Sequence, residues 1–233
     1  MRKFRIAFEK EEVSDFRGTA IVIDLFRFSC TVACLVASGK KEVRVFGDRE
    51  NALIFYRNNP GWEFFSEMEI ENIKKFDNSP YQALNCSSPN LPAVVVTNSG
   101  SKAILSCRRA GEILIAGFHN LPYLLSYLGD RDGDFLIIPA CIFYNRDHKE
   151  DFIAAEAFYK SFISGKADRE LIFDIHKTGR IMELMNFRPA TAEKDLRLIM
   201  NLGNIKTLPR AKIKGVYAQI SDAISNNGGE EQL

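Results

Sequence analysis

The stretch Ala20-Ile21-Val22-Ile23-Asp24-Leu25-Phe26-Arg27-Phe28-Ser29-Cys30-Thr31 decides how the chain reads. Three successive β-branched residues, Ile21, Val22 and Ile23, suit a strand covered on both faces, the habit of parallel sheets flanked by helices. Such sheets present functional side chains at the carboxyl ends of their strands. Asp24 and then Arg27 stand at that end, where packing has little use for a carboxylate. Asp24 is therefore the first candidate for chemistry.

Outward from this stretch the chain alternates. Ser29 to Ser38 is predicted as a helix, with Ser29 placed to cap it and Gly39 to stop it. Val43 to Phe46 reads as a strand, and Gly47-Asp48 opens a helix that Asn59-Pro60-Gly61 ends. Trp62 to Phe65 is a further strand, and residues 66–90 read as loop with one short helix. Pro92 to Val96 is a second strongly apolar strand, closed by Thr97-Asn98-Ser99-Gly100-Ser101-Lys102 before the next helix. Glu112 to Ala116, a helix from Leu121 to Leu128, and Phe135 to Ala140 continue the rhythm. Helices are expected over Glu150 to Ile163, 170–186 and 192–202, then an edge strand from Ile213 to Ile220 and a frayed tail over Asn226 to Glu231. Residues 1–233 read as one domain of α/β class.

Composition narrows the function. Apolar residues make up 46% and charged residues 26% of the 233, an ordinary globular balance. With 31 Lys+Arg against 30 Asp+Glu there is no overall field for nucleic acid or an anionic membrane, so any anion site must be local. Cys30, Cys34, Cys86, Cys107 and Cys141 are odd in number and form no C-x-x-C pair, which suits reduced thiols in a cytoplasmic protein. The amino terminus lacks the apolar core of a signal peptide, and no stretch is long and apolar enough to span a bilayer.

Four polar clusters fall at or beside element boundaries: Asp24/Arg27/Ser29, Glu67 with Asp77/Asn78/Ser79, Thr97/Asn98/Gly100/Ser101/Lys102, and His148/Glu150/Asp151. The carboxylates Asp24, Glu67, Glu150 and Asp151 suit a hard cation such as Mg²⁺, which prefers oxygen ligands and retains waters. Arg27 offers a planar fork of donors to a phosphate or sulfonate. The Thr97 to Lys102 turn offers backbone N–H groups at a helix start, although it lacks the G-x-x-x-x-G-K-[ST] order of a phosphate-binding P-loop. Each cluster also has a structural reading: Asp24 as a cap, Arg27 as its ion-pair partner, Thr97 and Ser101 as turn residues, Glu150 and Asp151 as first-turn acids facing the helix dipole.

The order of these clusters resembles the 2-phosphosulfolactate phosphatase family, whose members hydrolyse the phosphate ester of a sulfonated lactate with Mg²⁺ on the route to coenzyme M and related sulfonates. Its V-V-I-D-x-L-R-A-[ST]-[ST] block is similar to Ile21 through Thr31, with Phe26 at the usual leucine and Phe28 at the usual alanine. Its G-E-R segment keeps only the acid in Ser66-Glu67-Met68, and its F-x-x-x-N-S-P becomes Phe76-Asp77-Asn78-Ser79-Pro80. T-T-N-G-T-[RK]-A becomes Val96-Thr97-Asn98-Ser99-Gly100-Ser101-Lys102-Ala103 with one inserted residue. Asn120 falls at an S-x-x-N asparagine, Glu150-Asp151-Phe152-Ile153-Ala154-Ala155-Glu156 at E-D-x-x-[AC]-[AG]-G with glutamate replacing the glycine, and Arg180-Ile181-Met182-Glu183-Leu184 resembles the R-L-x-x-L-G segment. In place of the family's N-A-G-x-x-G loop stands Pro139-Ala140-Cys141-Ile142-Phe143-Tyr144-Asn145, without glycine and with two aromatics, so this pocket wall is expected to differ.

The resemblance implies a three-layer α/β/α fold with a mixed, mainly parallel sheet, and a Mg²⁺-dependent phosphatase acting on a small phosphorylated acid. Asp24 and Arg27 would be catalytic; Asp24, Glu67, Glu150 and Asp151 would hold the metal; Arg27, Ser29, Thr97, Asn98, Gly100, Ser101 and Asn120 would hold the substrate. Attack by water and a covalent phosphoenzyme both stay open, although Phe26 replaces the second aspartate of the D-x-D pattern found in haloacid-dehalogenase phosphatases. The alternative is a family member without turnover that binds a small anionic metabolite. A homodimer is the default for a soluble enzyme.

Overall fold

The computed structural model describes residues 2–167 and 170–225. The expected tail over Asn226 to Glu231 lies outside these. The elements run β1 (Arg2–Ile6), α1 (Lys10–Ser14), β2 (Thr19–Ile23), α2 (Phe28–Ala37), β3 (Val43–Phe46), α3 (Arg49–Asn58), β4 (Glu63–Phe65), α4 (Pro80–Asn85), β5 (Ala93–Val95), α5 (Gly100–Ser106), β6 (Glu112–Ile115), α6 (Leu121–Leu128), β7 (Gly133–Pro139), α7 (Lys149–Ser164), α8 (Arg180–Phe187), α9 (Ala192–Ile199), β8 (Pro209–Lys214) and β9 (Tyr217–Asp222). They form a three-layer α/β/α fold around a mixed, mainly parallel sheet. Its strand order among the described residues is β1-β7-β2-β6-β8-β9-β3-β5-β4.

Two parallel blocks, β1-β7-β2-β6 and β3-β5-β4, are joined by the antiparallel hairpin of β8 and β9. β6 pairs antiparallel with β8, and β9 antiparallel with β3. Three reversals in a row mean that the two blocks point in opposite directions. The single edge strand expected from Ile213 to Ile220 is thus two strands in the middle of the sheet. The break comes at Gly215, whose φ of 65° stands where a two-residue type II′ loop places glycine.

Local signals account for most element starts. Asp48 caps α3 by accepting from the N–H of Asn51 at 2.8 Å. Ser79 caps α4 by accepting from Gln82, and Pro80 follows at the first helical position. At α2 the expected cap is displaced by two residues, from Ser29 to Arg27: the helix begins at Phe28, the Oδ1 of Asp24 accepts from the Phe28 N–H at 3.3 Å, and Ser29 lies inside the first turn. The helix expected over 170–186 is a 3-10 stretch, Glu170–Thr178, that breaks at Gly179 before α8. β1 had no counterpart in the sequence reading; it adds to β7 at the edge of the sheet, with Phe4 stacked between Phe135 and Phe162.

β2 fulfils the expectation of a strand buried on both faces, since Ala20 to Ile23 are 0–1% exposed. All five cysteines are free thiols. No helix among the described residues is long and apolar enough to cross a membrane.

His119 is buried between β6 and α6, and neither ring nitrogen finds a protein partner. Burial pushes its pKa down to about 3. Unfolded chains take up this proton below about pH 6.5 while the folded one does not, so stability conferred by neutral His119 is lost as pH falls from 6.5 toward 3. The expected slope is at most about 1.4 kcal/mol per pH unit. Urea unfolding of the parent and of His119→Phe across pH 5–7.5 should show the parent losing stability faster on acidification; parallel pH profiles would contradict this.

Candidate active site

A carboxylate moved out of water must have its oxygens answered by donors or a cation. At Asp24, 4% exposed, the answer comes from the starts of two helices. Oδ2 accepts from the hydroxyl of Ser99 at 2.6 Å and the N–H of Gly100 at 2.9 Å, and among the described residues Oδ1 accepts only from the N–H of Phe28. Its backbone N–H donates to Ser29 Oγ at 2.9 Å, and its carbonyl accepts from the N–H of Ser29. Burial raises the Asp24 pKa while these donors pull it back. Gly100 is required for the approach: a Cβ there would sit 2.3 Å from the Phe28 ring and 2.9 Å from Asp24 Oδ2.

Asp151, also buried, spends both oxygens on backbone, Oδ1 on Leu25 N–H at 2.8 Å and Oδ2 on Cys141 N–H at 2.9 Å. It ties the turn after β2 to the turn after β7. Burial, then the charges of Asp24 and Glu150, hold its pKa well above the usual carboxylate range. Glu150 accepts from Arg180 Nε at 3.0 Å and leaves Oε2 buried without a partner. Glu67 accepts from the N–H of Asn98 at 2.6 Å and likewise leaves Oε2 unanswered. Burial chiefly, and also the charge of Asp24, push Glu67 up to about 7, against the pull of the Asn98 bond.

Arg27 is 3% exposed and held by two acids, Nη1 by Asp195 at 2.8 Å and Nη2 by Asp77 at 2.6 Å. Asp195 in turn accepts from Ser79 Oγ and the Tyr81 N–H. Arg27 thus fastens the turn after β2 to the loop before α4 and to α9 with both terminal nitrogens engaged.

These groups surround a cavity of about 320 Å³. Of the residues expected at the site, Asp24, Arg27, Glu67 and Asn98 line it. Ser29 and Gly100 lie directly behind Asp24. Thr97 and Ser101 turn toward each other, each backbone N–H donating to the other's hydroxyl. Glu150 and Asp151 stand behind the lining, Glu150 holding Arg180. Asn120 is elsewhere: it accepts from the Gly117 N–H and donates to the carbonyls of Ile115 and Thr207, closing the turn after β6 against the approach to β8.

Several lining residues went unassigned in the sequence reading. Arg188 donates to the carbonyl of Glu67 and pairs with Asp77, and Arg180 bonds Glu150 and Glu183. His148, named in the fourth polar cluster without a role, faces the cavity with Nδ1 3.5 Å from Arg180 Nη2. Arginine only donates, so Nδ1 is the acceptor of a neutral ring, in line with a pKa lowered by burial and by Arg180. The one available signal was Arg180 at the head of its R-L-x-x-L-like segment.

Among the described residues, no three His, Cys, Asp or Glu side chains are gathered as a ready-made metal cage. A cation that keeps its waters asks for less, one or two carboxylates together with substrate oxygens. The unanswered Glu67 Oε2 and the lightly bonded Asp24 Oδ1 fit that demand.

Residues 6–194 match the sequence profile described as 2-phosphosulpholactate phosphatase. The chain belongs to that family. Among its relatives, a protein of Thermoplasma volcanium named probable 2-phosphosulfolactate phosphatase is 26% identical over 213 residues, 88% of this chain and 94% of the relative. A protein of the same name from Thermoplasma acidophilum is 28% identical over 124 residues, 52% of this chain and 54% of the relative, and one from Thermotoga petrophila is 30% identical over 145 residues, 61% of each. The family match runs from β1 into α9 and so takes in every residue that lines the cavity.

Asn120 separates a structural from a binding role. Asn120→Ala strands three buried backbone groups, at about 1–3 kcal/mol for each, so its urea unfolding free energy should drop by about 3 kcal/mol or more. KM for any phosphate ester the protein turns over should stay within about twofold, by the ordinary context scatter of such effects. A raised KM with parental stability would return Asn120 to the binding site.

Proposed function

We propose that the chain is a Mg²⁺-dependent phosphatase that hydrolyses a small acidic phosphate monoester of the 2-phosphosulfolactate type. The observation that carries this reading is Asp24, buried yet lining a cavity that also receives Arg27 from its own turn and Glu67, Asn98, Arg180 and Arg188 from distant segments. Family membership supports the same reaction class.

Asp24, through Oδ1, and Glu67, through Oε2, would hold the ion. When bound, Mg²⁺ neutralises phosphoryl charge and favours deprotonation of a coordinated water. The protein's own part is positioning and charge. Ser99, Gly100 and Phe28 fix the Asp24 carboxylate. Asp151 and Arg27 hold the turn that carries it. Arg180, with Nη2 only loosely engaged, and the side-chain amides of Asn78 and Asn98 present hydrogen bonds to the phosphoryl oxygens. In the reaction the ester P–O bond breaks, a water oxygen bonds to phosphorus, and a water proton ends on the departing hydroxyl. Such preorganised donors provide most of the rate in phosphoryl transfer.

Asp24→Asn keeps the size and the acceptor oxygen but removes the charge. Mg²⁺-dependent phosphate release should fall on the order of 1,000-fold, with the circular dichroism of the parent retained; turnover equal to the parent's would end the assignment. Mg²⁺ alone should raise the melting temperature of the parent near pH 7, because it answers the unpaired Glu67 oxygen. Glu67→Gln should lose most of that shift, and an equal shift in both proteins would exclude Glu67 as a ligand.

A further inference from the structure

The cavity lining divides by chemistry. Asp24, Glu67, Asn78 and Asn98 make up a polar part, whereas Phe26, Tyr144, Leu184 and Phe187 are apolar or aromatic. The apolar group comes from three segments: the turn after β2, the turn after β7, and α8. In α8, Arg180, Glu183, Leu184 and Phe187 recur at spacings of three, four and seven, so one face of the helix looks onto the cavity.

That face is not explained by packing. α8 buries none of its residues, Phe187 is 74% exposed and Tyr144 is 57% exposed. Leaving a large apolar side chain in water forgoes about 1.5–3 kcal/mol each. Single exposed hydrophobics are ordinary, but several gathered around one concave opening mark a binding surface. Tyr144 is held there by its edge-on contact with His148, ring centroids 6.0 Å apart, and by Lys102 Nζ 5.9 Å from its ring centre.

Charge points the same way. Every arginine that lines the cavity is already paired: Arg27 with Asp77 and Asp195, Arg188 with Asp77, Arg180 with Glu150 and Glu183. Besides the phosphate, a second strong anion would meet only arginines already held by acids, with Lys102 outside the lining and set against the Tyr144 ring, whereas a planar apolar group would cover exposed Tyr144 and Phe187.

We propose that the preferred substrate is a phosphate monoester of a 2-hydroxy acid whose side group is aromatic or bulky and apolar, seated on Phe26, Tyr144, Leu184 and Phe187. This rests on the phosphatase reading of the cavity and replaces the sulfonate arm of the substrate type named there.

The test compares three esters with Mg²⁺: the 2-phosphates of 3-phenyllactate, lactate and 3-sulfolactate. Burying a phenyl group in place of a methyl should raise kcat/KM tenfold or more, and the phenyl ester should exceed the sulfonated one by a similar factor. Tyr144→Ala combined with Phe187→Ala should reduce the phenyl preference to below threefold, and Tyr144→Phe should retain it. A sulfolactate ester processed as well as the phenyl ester, or a preference that survives the double variant, would overturn the inference while leaving the phosphatase reading intact. If no ester releases phosphate, the phosphatase reading fails and the aromatic wall is read by binding instead. The non-hydrolysable phosphonate of phenyllactate should then raise the melting temperature more than those of lactate and sulfolactate, and equal shifts would overturn it.

Discussion

The molecule is organised by the need to answer a buried carboxylate. Asp24 lies where water cannot solvate it, so its oxygens draw in the Ser99 hydroxyl and the backbone N–H groups of Gly100 and Phe28. Those donors belong to the starts of two different helices, α2 and α5. A side chain at residue 100 would collide with Phe28 and with Asp24 itself, which makes this glycine a condition of the arrangement. Asp151 repeats the device with two backbone donors, from Leu25 and Cys141. Between them the two acids hold together the turns that follow β2, β5 and β7.

That convergence is demanding because of the sheet. Five ladder steps separate β2 from β5, about 24 Å at about 4.8 Å per step if the sheet were flat, and the blocks containing them run in opposite directions. Bonds of 2.6 and 2.9 Å across that span require a strongly coiled sheet. The β8–β9 hairpin in the middle both reverses the second block and joins it to the first. Strands from the far end of the chain thus complete a site whose side chains come mostly from before residue 190.

Arg27 shows what this positioning demands of a charged group. A guanidinium this buried persists through its pairing with Asp77 and Asp195, and loss of both partners would leave an uncompensated charge. The same pairing limits what its fork can offer a ligand. α8 is the opposite case: it buries none of its residues yet supplies Arg180, Leu184 and Phe187 to the cavity. Binding residues on a weakly packed helix fit the general pattern that functional segments come from the less stable parts of a fold.

What sequence alone determined follows from short-range chemistry. The β-branched run before Asp24, the helix opening at Gly47-Asp48 and the glycine stops are read by near neighbours, and the elements they predict are present. The ordered motifs were enough for the family, and Asp24, Arg27, Glu67 and Asn98 do line one cavity. What tertiary structure alone decided is where each polar or aromatic group spends itself. Phe28 enters the core while Phe26, two residues earlier, faces the cavity; Asn120 is consumed by backbone far from it, and Tyr144 and Phe187 line one cavity although 43 positions apart. The sheet order is of the same kind, since nothing local in residues 209–222 says that they pair between β6 and β3. Propensity and capping act within a few residues, whereas burial and the pairing of charges depend on which distant segments arrive, and that information exists only once the chain has folded.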